Sequence, residues 1–247
     1  MTTPRFFVPA EWLRDERVVL RGEVYHQVGR VLRMAPGDEL ILLDNSGWET
    51  VVRLIEMSGE QGTAETVARR VVAAEPRTKI TLYQSVLKGN HFEFALQKGT
   101  ELGVVEFVPM ITDRSIVADL DAASRKERRW SKILQEAAEQ SGRGRIPYLR
   151  PVLLFPRACE RARRTGGLSL LPWEGEQSTS LRALLTGEGQ ATEAFTRLLA
   201  QANSEPSSTP EAVTGGRRPR PFSVNVFVGP EGGFSAAEAA TARGYGI

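Results

Sequence analysis

Polar and apolar positions along the chain change their rhythm once, near residue 75. Up to that point, short alternating runs predominate: "RVVLRG", "ELILLDNSG", "WETVVRLIEM" and "GTAETVARRVV", separated by the turn formers "APGD", "NSG" and "SGEQG". Alternation with a period of two predicts half-buried strands, and several short strands in succession predict a small barrel. One segment breaks the rhythm. In "EVYHQVGRVLR", Val24, Val28, Val31 and Leu32 recur at helical spacing on one face, and His26, Arg30 and Arg33 share the opposite face.

After "AAEPRT", strands and helices alternate. "KITLYQSVL" (79–87) and "VVEFVPMI" (104–111) are apolar enough to be buried strands. Between them, "HFEFALQKGTELG" (91–103) turns Phe92, Ala95, Leu96, Gly99 and Leu102 to one side. A longer helix, "SRKERRWSKILQEAAEQS" (124–141), buries Trp130, Ile133, Leu134, Ala137 and Ala138. "LSLLPWE" (168–174) and "VNVFVGPEGG" (224–233) supply two more strands. Such alternation predicts an α/β fold with a mostly parallel sheet, so the chain reads as two domains, 1–74 and 75–247. The stretch "QANSEPSSTPEAVTGGRRPRP" (201–221) is rich in Ser, Pro, Gly and charge and reads as a mobile insertion.

Composition narrows the class. No apolar run approaches the roughly 20 residues of a membrane span, and "MTTPRFFVPAEWLRDER" has no secretory pattern. The single cysteine, Cys159, excludes an internal disulfide and fits a reducing cytoplasm. With two histidines beside that one cysteine, no metal site is expected. Net charge is only +2, yet residues 114–164 hold thirteen Lys and Arg against six Asp and Glu, whereas 1–75 hold nine against twelve. A basic stretch of this kind suits phosphates, and solvated helix faces account for it equally well.

Three constellations carry candidate chemistry. In "VFVGPEGGFSAAE" a strand ends at Val228, Gly229, Gly232 and Gly233 free the backbone for close approach, and Ser235 with Glu238 forms a capping box. Ligands of open α/β sheets sit at such carboxyl ends, although a tight strand-to-helix turn has the same composition. The spacing is neither G-x-G-x-x-G nor a Walker loop, which argues against dinucleotides and triphosphates. A second strand end, "LLPWEGE", places Pro172 and Glu174 after Leu170 and Leu171. The third is a polar set at helix ends and loops, Lys98, Glu101, Arg114, Glu139, Gln140, Arg143 and Arg145, suited to phosphates and base edges, though each could be a surface ion pair.

Taken together, "RFFV", "HQVGRVLR", "QKGTELGV", "EAAEQSGRGRIP", "LLPWE" and "VGPEGGFSAAE" resemble, in order, the RsmE family of 16S rRNA uracil-N3 methyltransferases. The resemblance implies a PUA-like β-barrel, a SPOUT domain whose parallel sheet is knotted, S-adenosylmethionine as cofactor and a homodimer acting on 16S ribosomal RNA in the small subunit. Cofactor contacts would then fall on Leu171, Pro172 and Glu174 and on Gly229, Pro230, Glu231 and Gly232. RNA contacts would fall on Arg5, His26, Arg33, Lys98 and Arg145, with Arg114 and Arg143 as the catalytic candidates near the uracil. The family pattern continues beyond the glycine-loop helix with a strand, a loop resembling L-G-x-R-I-L-R-x-E-T-A and a closing helix. The sequence ends at Ile247, so a pocket short of its third wall is expected. A second expectation from the same residues is an RNA-binding protein without catalysis.

Overall fold

The structure, a computed structural model, describes residues 3–116, 120–177, 180–186 and 223–247. The segment 201–221, read above as an insertion, lies outside the described residues. Two compact units emerge: Met1–Glu75 with Lys132–Pro147, and Pro76–Ser131 with Tyr148–Ile247.

The first unit contains β1 (Arg5–Phe7), a 3-10 turn (Ala10–Leu13), β2 (Arg17–Leu20), α1 (Gly22–His26), β3 (Glu39–Leu43), β4 (Trp48–Ser58) and β5 (Gln61–Val71). Its five strands run in the order β1-β3-β4-β5-β2, with β1 parallel to β3 and the other pairs antiparallel. Register shifts in β4 at Val51/Val52 and Leu54/Glu56 add twist. The sheet is therefore mixed and barrel-like around Val18, Leu20, Leu40, Leu42, Val52 and Leu54. The unbroken run of β3 is buried on both sides, since Ile41 and Leu43 pack in a second cluster with Val72.

Two expectations are corrected here. After α1 the helix continues as one π turn (Gln27–Val31), in which the Leu32 N–H reaches the Gln27 carbonyl. The extra residue rotates the end of the helix, so Val28 is buried while Val31 and Leu32, expected beside it, are 63% and 46% exposed. The segment Lys132–Pro147, expected in the second domain, clusters with the first unit. Glu75 explains this: its carboxylate accepts from Arg143 Nη2 at 3.1 Å and from the N–H groups of Gly144 and Arg145 at 3.1 and 3.0 Å. Glu139 accepts from the Phe7 N–H at 3.0 Å, and burial pushes its carboxyl up.

The second unit alternates β6 (Lys79–Ser85), α2 (His91–Glu101), β7 (Val104–Ile111), α3 (Leu120–Ser124), α4 (Glu127–Gln140), β8 (Tyr148–Leu149), β9 (Leu153–Leu154), α5 (Phe155–Thr165), β10 (Leu168–Leu170), α6 (Leu181–Thr186), β11 (Ser223–Val228) and α7 (Ala236–Gly244). The boundary between the units falls within α4, after Ser131. The described strands pair in parallel, in the order β10-β11-β6-β7-β8, with β9 also on β7. Side-chain alternation along β7 serves two cores. Phe107 faces α2, which approaches closely because a Cβ on Gly99 would stand 2.7 Å from the Phe107 ring. Val108 and Met110 belong to the other core, with Cys159 and Ala162 of α5 and with Tyr83 stacked on Phe227 at 4.4 Å. Leu102, expected on the buried side of α2, comes just after the helix end and is 83% exposed. Among the described residues no helix is long and apolar enough to cross a membrane.

Candidate functional site

Parallel pairing of β10 with β11, Leu170 opposite Val226, brings the two predicted loops out side by side at the carboxyl edge of the sheet. The loop after β11 turns tightly, with the Gly233 N–H donating to the Pro230 carbonyl at 2.9 Å. Gly233 has φ +68°, a left-handed conformation that favours glycine, and a Cβ there would meet Glu174 Oε1 at 3.4 Å. Glu174 thus stands against the glycine loop. Beside it, the residues after β10 wall a cavity of about 580 Å³ whose lining includes Leu170, Leu171, Pro172, Trp173, Glu174 and Glu176. Of its two carboxylates, Glu176 is paired with Arg243 at 2.9 Å, so this largely apolar cavity suits a ligand that is part aromatic and whose cationic part meets Glu174.

Leu171, Pro172 and Glu174 therefore line one cavity. Gly229, Pro230, Glu231 and Gly232 occupy the adjoining loop and are not among the lining residues. Glu231 faces the other way. It accepts from the Lys88 N–H at 3.2 Å and lies 3.6 Å from His91 Nδ1. Its own backbone N–H, then that of Lys88, hold its exposed carboxyl below the ordinary value.

A third loop, after β7, closes on the same glycines. Arg114 Nη1 donates to the Gly232 carbonyl at 2.5 Å, and the Arg114 stem passes 3.3 Å from where a Gly232 Cβ would be. Asp113 Oδ2 accepts from Ser235 Oγ at 2.7 Å, while the Asp113 N–H donates to Glu238 Oε1 at 2.9 Å. The capping box of α7 forms as the sequence predicts, with Ser235 Oγ accepting from the Glu238 N–H. One carboxylate, Glu238, so serves both the cap and the neighbouring loop. Behind them the hydroxyls of Ser85, Thr112 and Ser115 form a triangle with sides of 2.8 to 2.9 Å. Buried Gln84 directs its amide at the Ser85 carbonyl, 3.1 Å away, and lies 3.5 Å from those of Val228 and Gly229.

Sequence reasoning missed Gln84, Ser85, His91, Thr112, Asp113 and Ser115. For all of these but His91 the signal was present in "LYQS" and "MITDRS", where polar residues end apolar strands at the edge that carries ligands in α/β sheets.

The remaining candidates lie elsewhere. Lys98, in the second unit, pairs with Glu101 at 2.8 Å and lies over the Phe94 ring. In the first unit His26 and Arg33 are exposed, and Arg33 adopts φ +54°. Arg5 is paired with buried Glu49, which also takes Arg70. Burial alone would raise the Glu49 carboxyl, but hydrogen bonds and charge from Arg70 and Arg5 outweigh it and hold the group below its ordinary value. Arg145 donates to the Ser46 carbonyl and packs on Gly47. Arg143, paired with Glu75, is 2% exposed. The structure therefore groups Arg114 with the glycine loop and sets Arg143 in a buried ion pair of the first unit. Among the described residues no cluster of three or more His, Cys, Asp and Glu could hold a metal ion.

The family model of an RNA methyltransferase domain matches residues 74–247. Ribosomal RNA small subunit methyltransferase E of Bacillus subtilis (strain 168) is 34% identical over 143 residues, 58% of this chain and 56% of that protein. The Synechocystis protein of the same name is 32% identical over 167 residues, 68% of this chain and 54% of that one. The matches thus span little more than half the length of these relatives. A crystal structure of ribosomal RNA small subunit methyltransferase E from Neisseria gonorrhoeae, bound to S-adenosyl methionine, superposes with a TM-score of 0.74 at 26% identity, covering 99% of this chain and 86% of that one.

Proposed function

Because the chain belongs to the RNA methyltransferase domain family, we propose that it methylates N3 of a uridine in 16S ribosomal RNA with S-adenosylmethionine as donor. The observation that carries this reading is the cavity beside the glycine loop, walled by Leu171, Trp173 and the carboxylate of Glu174. Such a cavity fits the cofactor's chemistry. Apolar walls accept an adenosyl group, and the Glu174 carboxylate, for which Gly233 leaves room at the rim, complements a cation. The cofactor supplies an electrophilic methyl on positively charged sulfur.

The chain's own task is to orient the uracil and favour its N3 anion. Arg114, whose Nη1 is engaged by the Gly232 carbonyl, takes that role, its remaining N–H groups being suited to a uracil oxygen. Arg143, held by Glu75, anchors the Lys132–Pro147 segment. Exposed His26 and Arg33 and half-buried Lys98 contact phosphates, and Arg5 and Arg145 shape the surface of the first unit. In this reading the parallel sheet is a knotted SPOUT domain, the barrel-like sheet is PUA-like, and a homodimer works on the small ribosomal subunit in the cytoplasm. Support comes from the named relatives and from the cofactor bound to the Neisseria protein.

Calorimetric titration with S-adenosylmethionine and with its neutral demethylated product tests the site. Glu174→Gln is expected to weaken the cationic cofactor more than the neutral product, and equal loss for both refutes the role given to this carboxylate. Arg114→Ala is expected to lower methyl transfer to 16S RNA, read as a reverse-transcription stop, more than it lowers cofactor affinity. Parallel loss of both would remove Arg114 from the chemistry.

A further inference from the structure

The basic stretch singled out in the sequence is not absorbed by the cavity at β10. Part of it forms a separate feature at the opposite edge of the sheet, where β8 and β9 pair with β7. A groove of about 540 Å³ lies there, lined by Arg150, Leu153, Arg157, Arg161 and Arg164, with Glu160 at its side. The arrangement arises from α5. Arg157, Arg161 and Arg164 stand at i, i+4 and i+7 on one helix face, while Ala158, Cys159 and Ala162 turn inward to the core.

Two carboxylates hold part of this charge. Glu106 accepts from Arg150 Nη2 at 2.9 Å and from Arg161 Nη2 at 2.5 Å, which fixes the two guanidinium groups. Burial would raise the Glu106 carboxyl, but hydrogen bonds from these arginines prevail and keep it lowered, hence ionised. Glu160 pairs with Arg157 at 2.7 Å, both side chains being largely in solvent. Four arginines thus face two carboxylates. Next to them Tyr148 is 62% exposed, and the Arg150 guanidinium lies 5.3 Å from its ring centroid.

We propose that this groove is a second RNA contact, binding backbone phosphates of a single-stranded segment through Arg157 and Arg164 and stacking a base on Tyr148. Guanidinium forks match phosphate oxygens, and an aromatic face beside cations is how single strands are held without sequence readout. Glu106 positions Arg150 and Arg161; Glu160 competes with the incoming phosphate for Arg157. The proposal rests on the reading of the chain as an RNA methyltransferase only for the identity of the polyanion.

The test uses the full chain and a labelled single-stranded oligoribonucleotide of about 16 nucleotides, the upper end of the site size for one fold. Each phosphate contact contributes about 0.7 to the slope of log affinity against log salt on single strands, so Arg157→Ala with Arg164→Ala should reduce that slope by about 1.4. Between 50 and 200 mM salt the wild type should then lose about sevenfold more affinity than the double variant. Glu160→Gln should tighten binding, a gain that misfolding does not produce. Tyr148→Ala should weaken it about fivefold or more, with Tyr148→Phe close to wild type. An unchanged slope in the double variant, or an equal loss when poly-L-glutamate replaces RNA, overturns the proposal. Titration with S-adenosylmethionine runs alongside. Absent cofactor binding with the groove effects intact would remove the methyltransferase reading and leave the groove.

Discussion

The contact between Asp113 and Ser235 gives the sharpest test of how the site is held. Ser235 Oγ accepts from the Glu238 N–H at 3.1 Å and donates to Asp113 Oδ2 at 2.7 Å, so one hydroxyl both caps α7 and ties it to the loop after β7. Losing an N-cap hydroxyl costs about 1 kcal/mol. A hydrogen bond to a carboxylate is worth about 1.5 kcal/mol, reduced to about 1 by the exposure of this one. Ser235→Ala should therefore destabilise by about 2 kcal/mol and Asp113→Ala by about 1, since the Asp113 N–H bond to Glu238 survives the second change. The double variant should lose about 2 kcal/mol rather than 3, a coupling of about 1 kcal/mol. Equilibrium urea unfolding of the four proteins measures it. Additivity within about 0.3 kcal/mol would refute the claim that the two loops are joined through this hydroxyl. If that joint also sets the glycine loop, cofactor affinity falls about fivefold in each single variant, the factor in 1 kcal/mol.

Buried groups give three further outcomes. The Cys159 thiol, pushed up to about 12 by burial and then by the Glu238 charge, should not react with a thiol reagent at pH 8 in the folded protein but should titrate fully in urea. Glu49 has a folded value below its ordinary 4.5, so its stabilisation is present above that pH and lost as pH falls through the lowered value. Glu49→Gln should cost about 2 kcal/mol at pH 7, and the gap to wild type should close as the pH falls below 4.5 in acid unfolding curves. Arg143→Ala breaks a buried pair with Glu75 and should destabilise by about 3 kcal/mol; methyl transfer should fall only in step with the folded fraction, measured by circular dichroism at the assay temperature.

How far the sequence could be read depended on how local each signal was. The pattern predicts β7 at 104–111 and the strand spans Val104–Ile111, because an apolar run bounded by glycine and charge needs no distant partner to define it. The capping box of α7 is equally local. By contrast α5 is not evident in the pattern: "FPRACERARRT" opens with proline and buries small residues, Ala158, Cys159 and Ala162, whose stripe is faint beside four arginines. The π turn is also hidden, since its extra residue shows only as exposed Val31 and Leu32 after buried Val28. Of the site, the glycine loop and Leu171 to Glu174 were legible as composition. The hydroxyl triangle was not, because Ser85 and Thr112 meet only when β6 pairs with β7, 27 residues apart.

Charge was the least transferable part of the sequence reading, for a physical reason. An arginine attracts a phosphate only with whatever field its own carboxylates leave, and those neighbours are tertiary. Arg5 and Arg143 looked like RNA ligands or catalysts, yet buried Glu49 and partly buried Glu75 pair with them. Removing either arginine would strand a carboxylate, so loss of function in such variants would reflect folding before binding. Arg157 and Arg164, which the sequence marked only as part of a basic stretch, lie on an exposed face where the nearest anion, Glu160, is itself in solvent. Displacing such an exposed pair costs little. The surface with the weaker ion pairs is therefore the one able to exchange them for phosphates, and the strongly paired arginines are those that fix the fold.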